Sequence, residues 1–179
     1  MKLVIASDIH GSAEYCGKLV EAYKNEKADR FVLLGDVLYH GPRNDLPFGY
    51  EPKKVIAMLN PLAEEILCVN GNCDAEVDQM VLDFILQPGY IELEDNGKTL
   101  YFTHGHHLDD APLPAKNGDV VFYGHTHVPD FSVKDGMVYI NPGSVSIPKN
   151  GSQRGYITYE NGKVTFKNLE GTVYNEYNV

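Results

Sequence analysis

Short apolar runs in the first half of the chain alternate with helical segments, and each run ends in polar residues. The runs 2–7, 30–34 and 65–69 are rich in Leu, Val, Ile, Phe and Cys, with no polar alternation inside them. Continuously apolar strands are typical of a parallel sheet that is covered on both faces. This order therefore predicts that the carboxyl ends of three strands lie along one edge of a sheet, where ligands gather in α/β folds.

Helix start signals separate these runs. Ser12 suits an N-cap and predicts a helix over 13–27. Pro52 is placed to open a second helix that ends near residue 60, because proline is tolerated in the first turn. Asp74 suits the N-cap of a third helix over 75–83.

The second half of the chain is dominated by hairpin signals. Asn96-Gly97, Asp135-Gly136 and Asn161-Gly162 each suit a type I′ turn between β-like segments. Residues 120–123 predict a further strand, and the last ten residues suit either an edge strand or a tail. The predicted hairpins pair 91–94 with 99–103, 131–133 with 137–141, and 155–160 with 163–169. We expect one α/β domain over 1–179, built as a four-layer αββα sandwich of two mixed β-sheets flanked by helices.

Composition restricts the class of protein. Hydrophobic residues make up 43% of the chain and charged residues 22%, as in ordinary globular domains. No apolar run approaches the roughly 18 residues that span a bilayer, and three cysteines do not suggest a disulfide framework. We therefore expect a cytoplasmic protein. The net charge of −10 disfavours broad nucleic-acid binding, which depends on a basic surface.

Seven polar residues of metal-ligating type follow predicted strands. Imidazole and carboxylate groups together favour Mn, Fe, Zn or Co over Mg and Ca. Any one of these positions could arise by chance, but their joint placement at strand ends predicts a site for divalent cations. The residues are Asp8, His10, Asp36, Asn72, His104, His125 and His127.

Five sequence blocks in a fixed order carry a resemblance to a known family. The chain resembles the calcineurin-like metallophosphoesterase superfamily, and in particular its small bacterial phosphodiesterases. This resemblance implies the metallo-dependent phosphatase fold. The blocks are Asp8-Ile9-His10, Gly35-Asp36, Gly71-Asn72-Cys73-Asp74, Thr103-His104-Gly105 and Gly124-His125-Thr126-His127.

The resemblance also implies a distribution of ligands between two divalent cations. Mn²⁺ is the expected metal, with Zn²⁺, Fe²⁺, Co²⁺ and Ni²⁺ as alternatives. The reaction it implies is in-line attack on phosphorus by a hydroxide that bridges the two cations. Asp8, His10 and His127 would hold the first ion, Asn72, His104 and His125 the second, and Asp36 would bridge them.

The third block supplies three candidate catalytic residues besides the bridging Asp36. Asn72 is a neutral ligand that leaves the centre more positive than an aspartate would. Cys73 stands where many members of the superfamily carry a histidine that helps to protonate the leaving group. A thiol is a poorer proton donor, so we expect a preference for good leaving groups. Asp74 is interpreted either as a helix cap or as a hydrogen-bond acceptor beside the ligands.

Two other groups of residues have open roles. Segment 39–50 is a long irregular loop, and such loops are often functional lids. Its His40 and Arg43 are candidate substrate-binding residues that would contact a phosphate, although an equally good interpretation is a pair that anchors the loop. His106 and His107 lie next to His104 and could take its place.

The function expected from these patterns is hydrolysis of phosphodiester bonds in a small soluble substrate. One alternative is a phosphomonoesterase or nucleotide hydrolase that uses the same centre, which pocket shape would decide. Another is a catalytically weak scaffold of the same fold that binds other proteins, although the full ligand set argues against it. The expected partner is a small phosphate ester, without membrane or nucleic acid, and homo-oligomer formation is left open.

Overall fold

Two mixed β-sheets form the centre of the structure, a computed structural model that describes residues 1–179. The helices are α1 (Ala13–Glu26), α2 (Pro52–Leu59) and α3 (Glu76–Gln79), and a 3₁₀ turn covers Asn60–Leu62. The strands are β1 (Lys2–Ala6), β2 (Arg30–Leu33), β3 (Ile66–Val69), β4 (Leu86–Gln87), β5 (Tyr90–Asp95), β6 (Lys98–Thr103), β7 (Val120–Phe122), β8 (Pro129–Lys134), β9 (Met137–Pro142), β10 (Gly155–Glu160), β11 (Lys163–Asn168) and β12 (Val173–Asn178).

The topology confirms the predicted division between a parallel half and a hairpin half. The seven-stranded sheet has the order β12-β11-β10-β1-β2-β3-β4, in which β1 to β4 are parallel and β10 to β12 are antiparallel. The five-stranded sheet has the order β5-β6-β7-β9-β8. All three predicted hairpins form, and both central residues of each turn have positive φ, as a type I′ turn requires. The C-terminal residues form the edge strand β12.

Apolar packing accounts for the layers. One core lies between the two sheets and includes Ile5, Val32, Phe102 and Phe122, all fully buried. The second core lies between the larger sheet and the helices, because α1 and α2 bury one face each. The predicted α/β sandwich of two mixed sheets is thus confirmed. Helices cover the larger sheet, whereas turns in segment 105–118 line a cavity against the smaller one.

The segment after β3 differs from its prediction. Helix α3 ends at Gln79, and Ala75 occupies its N-cap position, so the prediction that Asp74 caps a helix over 75–83 is wrong. Beyond α3, the burial of Leu82, Phe84 and Leu86 alternates with exposed neighbours. This period of two indicates extended chain, which places alternate side chains in the core and leads into the short strand β4.

None of the helices has the length and apolar character needed to cross a bilayer.

Candidate metal centre

The loops that leave the strands hold their polar residues in an unusual backbone conformation. Five of the seven candidate ligands have left-handed φ angles between 49° and 66°: Asp8, His10, Asp36, His125 and His127. Asp and His are more often found in this region than most residues, yet a non-glycine residue there still stores about 1–2 kcal/mol. Such strain persists only where the surrounding structure enforces it, and it concentrates at functional sites.

Asp8, His10 and His127 form a buried triad. Asp8 Oδ1 lies 3.5 Å from His10 Nε2 and 3.2 Å from His127 Nε2. The two Nε2 atoms lie 3.1 Å apart. Ligand atoms bound about 2.1 Å from one cation are separated by roughly 3.0–3.4 Å, so these spacings suit a shared metal ion.

The hydrogen bonds of the histidines decide which nitrogen faces this triad. Backbone carbonyl oxygens accept hydrogen bonds from Nδ1 of each buried ring, so the Nε2 lone pairs face inward in the neutral form. The two Nε2 lone pairs lie 3.1 Å apart and next to an Asp8 oxygen that has no hydrogen-bond partner. These electron-rich atoms repel one another unless a cation or a proton lies between them. The donor set therefore fits a metal ion. These hydrogen bonds run from Nδ1 of each histidine to a backbone carbonyl: from His10 to Tyr39 (2.8 Å), from His127 to Ile147 (2.7 Å) and from His104 to Leu34 (2.6 Å).

A second group of ligand atoms adjoins the triad. His104 Nε2 lies 3.4 Å from Asp36 Oδ2 and 3.0 Å from Asn72 Oδ1. The same Asp36 oxygen lies 3.7 Å from His10 Nε2. Asp36 therefore stands between the two groups.

Backbone contacts from the neighbouring loop hold Asp36. The Cys73 N–H donates to Asp36 Oδ1 at 2.8 Å. The Asp74 carboxylate accepts from the N–H groups of Asp36 (2.8 Å), Val37 (2.8 Å) and Gly71 (2.7 Å), which ties the loop after β2 to the loop after β3. Of the two interpretations of Asp74, the acceptor beside the ligands agrees with the structure.

His125 differs from the other histidines of the centre. Its backbone N–H donates to Asp8 Oδ2 at 3.1 Å, and its half-buried ring stands edge-on to His104 with centroids 5.2 Å apart. Its ring nitrogens lie outside the close groups of potential ligand atoms. His104 is buried at the centre, whereas His107 is exposed and His106 packs between these rings and His107. The alternative that a neighbour replaces His104 is therefore not supported.

Burial and mutual charge set the protonation of the centre. Burial by itself raises the pKa of Asp8, but the adjacent His10 and His127 rings outweigh it and hold the pKa well below its usual range. Burial by itself lowers the pKa of His104, yet the Asp36 and Asp8 carboxylates raise it to about 9. For His125, burial and the neighbouring His104 both lower the pKa. Opposing shifts in one cluster are typical of functional sites.

A polar cavity of about 400 Å³ opens over the centre. Asp36 and Asn72 contribute to its wall together with Cys73, and Arg43 stands on its rim. Sequence reasoning missed Lys149, because a lone surface lysine carries no local signal. His40 does not line this cavity; its ring is packed edge-on between Tyr39 and Tyr50, which agrees with the loop-anchoring interpretation.

Residues at the end of β9 and just after it brace the ligand loops, a role that sequence reasoning also missed. The buried amide of Asn141 donates to the Gly124 carbonyl at 2.7 Å and to Thr126 Oγ1 at 3.0 Å. The hydroxyls of Ser144 and Ser146 both donate to the Asp8 carbonyl, at 2.8 Å and 3.1 Å. These contacts support the left-handed conformation of Asp8 and hold the loop that carries His125 and His127.

The fold and the centre together define a metal-binding α/β sandwich protein. The chain belongs to the calcineurin-like phosphoesterase superfamily, whose domain it matches over residues 1–163. It is 46% identical to the phosphodiesterase YfcE of Escherichia coli over 162 residues, which is 90% of this chain and 88% of YfcE. The phosphodiesterase MJ0936 of Methanocaldococcus jannaschii is 28% identical over 151 residues, 80% of this chain and 83% of its own. The solved structure of the E. coli phosphoesterase YfcE superposes with a TM-score of 0.94 and covers 99% of each chain at 41% identity.

Proposed function

We propose that this protein is a metal-dependent phosphodiesterase that hydrolyses a small soluble phosphate ester at a dinuclear centre. The observation that supports it best is the position of Asp36, whose Oδ2 lies 3.7 Å from His10 and 3.4 Å from His104. One carboxylate within reach of two ligand groups could be shared by a pair of cations. The 46% identity to the phosphodiesterase YfcE supports the same reaction.

The proposed roles follow the geometry. Mn²⁺ is our preferred metal because of the family resemblance, with Zn²⁺, Fe²⁺, Co²⁺ and Ni²⁺ as alternatives; the mixed imidazole and carboxylate set does not favour Mg²⁺ or Ca²⁺. When bound, the cations supply a water of lowered pKa and neutralise charge on the phosphoryl oxygens. The chain orients three imidazoles through Nδ1 and keeps Asp36 in place through Cys73 and Asp74. Asp8, His10 and His127 would hold one ion, and Asn72 and His104 would hold the other with Asp36 shared between them. His125 would complete the second set only if its ring turned toward His104.

A series of substrates with different leaving groups tests the role of Cys73. Its thiol lies on the cavity wall and accepts from Asn72 Nδ2 at 3.2 Å. A thiol donates a proton less readily than an imidazolium, so departure of the alcohol depends on its own acidity. We expect rates to rise steeply as the pKa of the leaving alcohol falls across a series of aryl and alkyl diesters. A flat series, with chemistry shown to limit turnover, would count against this role.

The test of the function combines metal content with turnover. The purified protein is measured by elemental analysis and then assayed with bis(p-nitrophenyl) phosphate and added Mn²⁺. We expect bound divalent metal and metal-dependent release of nitrophenol. His104→Gln should reduce kcat/KM at least 100-fold, whereas His107→Gln, which changes an exposed neighbour, should change it less than twofold.

The outcomes separate the alternatives. A protein with neither metal nor turnover would favour the scaffold, and faster hydrolysis of p-nitrophenyl phosphate than of the diester would favour the phosphomonoesterase. Equal loss in both histidine variants would refute the ligand assignment. Cytoplasmic location remains a prediction from composition.

A further inference from the structure

Two exposed cationic side chains from different loops line the cavity above the candidate metal centre and form its rim. Arg43 belongs to the loop that follows β2, and Lys149 to the loop that follows β9. Both are exposed, whereas Asp36 and His127 in the same cavity are each only 2% exposed. The cavity therefore has a buried floor of candidate ligands and a positively charged rim.

Neither rim cation is neutralised by the protein. Arg43 is the only one of the three arginines whose guanidinium has no protein partner, since Arg30 donates to the Glu64 carbonyl and Arg154 to the Ser146 carbonyl. The Lys149 ammonium also forms no ion pair, although acidic residues outnumber basic ones by 25 to 15. Its backbone N–H donates to the His127 carbonyl at 3.1 Å, which anchors the residue to a ligand loop.

The other residues of the cavity wall limit the kind of chemical group that can bind beside Arg43 and Lys149. No phenylalanine, tyrosine or tryptophan side chain lines the cavity, so it lacks the large aromatic surface on which a nucleobase stacks best. Asn44, Asn72 and Thr126 supply amide and hydroxyl groups instead. A volume of about 400 Å³ leaves room beyond one phosphoryl group, and the polar wall suits a compact hydrophilic substituent.

We propose that Arg43 and Lys149 form a subsite for a second anionic group, carboxylate or phosphate, on the part of the substrate that stays with the phosphoryl group. The inference rests on the proposed phosphodiesterase activity and specifies its substrate class as phosphodiesters whose retained part is acidic and non-aromatic. Arg43 offers two N–H donors to an anion, and Lys149 adds a point charge from the loop after β9. The subsite acts on specificity, because the charge that it recognises lies away from the bond that breaks.

The test uses three p-nitrophenyl phosphodiesters with one leaving group and different second alcohols. These alcohols end in a hydroxyl, a carboxylate or a phosphate, so that only the distal charge varies. For the wild-type protein with Mn²⁺ we expect kcat/KM to be about tenfold higher for an anionic diester than for the hydroxyl diester. Exposed ion pairs are each worth up to about 1 kcal/mol, or roughly fivefold, so Arg43→Gln and Lys149→Gln should each lower this ratio about threefold. The double variant should bring the ratio close to one.

Lys53→Gln is the matched control, because Lys53 is an exposed cation on α2 without a protein partner and lies outside the cavity. It should leave the ratio unchanged, which excludes an effect of net charge alone.

Raising the salt concentration should lower the ratio in the wild type and not in the double variant. Equal rates on all three diesters, or a ratio that survives the double substitution, would overturn the subsite while leaving the phosphodiesterase intact. No turnover of any diester would instead refute the proposed function.

Discussion

The Asp74 carboxylate joins two of the loops that carry candidate ligands, and Asp74→Asn tests how far the centre depends on that link. The two oxygens of Asp74 accept three backbone N–H groups, from Asp36, Val37 and Gly71. Asparagine keeps the shape of the side chain but offers one acceptor oxygen in place of two. At least one backbone N–H must then face the new amide N–H₂, a donor against a donor.

The magnitude follows from these contacts. A hydrogen bond to a charged group contributes about 1.5–3 kcal/mol, and an unsatisfied buried donor costs about 1–3 kcal/mol. Removing the charge offsets part of this loss of stability. Burial and the nearby Asp36 carboxylate both raise the pKa of Asp74, so the ionised carboxylate is itself unfavourable there. We expect a net loss of about 3 kcal/mol, which corresponds to a fall in Tm of roughly 6–12 °C for a chain of this size.

Urea and thermal unfolding of the metal-free protein measure this loss, with Asp83→Asn as the control. Asp83 is exposed in the same segment, and its carboxylate has no partner, so its substitution should stay within about 0.5 kcal/mol. With Mn²⁺ present, Asp74→Asn should also lower kcat/KM, since Asp36 loses its support. Equal stability of the two variants would show that the three contacts do not brace the loops.

Two further predictions concern the same centre. Gly71→Ala should abolish Mn²⁺ binding, measured by calorimetry, because the added methyl group would overlap the Asp36 carboxylate; Gly17→Ala on α1 meets only ordinary contacts and should bind normally. Mn²⁺ affinity should rise with pH up to about 9, because His10 and His104 must each lose a proton before they can bind a metal ion. Burial by itself lowers the pKa of both rings, but nearby carboxylates outweigh it. They raise the pKa of His104 to about 9 and the pKa of His10 above its usual value. A constant affinity between pH 6 and 9 would contradict these shifts.

Local patterns predicted the elements well where one local rule dominates. Asn96-Gly97 fixes a type I′ turn because both residues tolerate positive φ, and Ser12 caps α1 by accepting from the Tyr15 N–H. The same reasoning failed at Asp74, since an Asp before a helical segment is equally suited to any nearby N–H groups. The backbone N–H groups that Asp74 binds belong to the loops after β2 and β3, and only the parallel pairing of these two strands brings them close to its carboxylate.

Outside segment 75–87, the amino-acid sequence by itself determined the order of the main strands and helices, and it also determined the set of candidate ligands, because turn chemistry, apolar periodicity and ligand type are properties of short segments. Only the tertiary structure decided which imidazole nitrogen faces inward, that Asp36 stands between two ligand groups, and that Lys149 shares a rim with Arg43. These features depend on contacts between residues far apart in the chain. Such contacts arise when the two sheets bury their shared apolar faces, and no local pattern encodes the resulting distances.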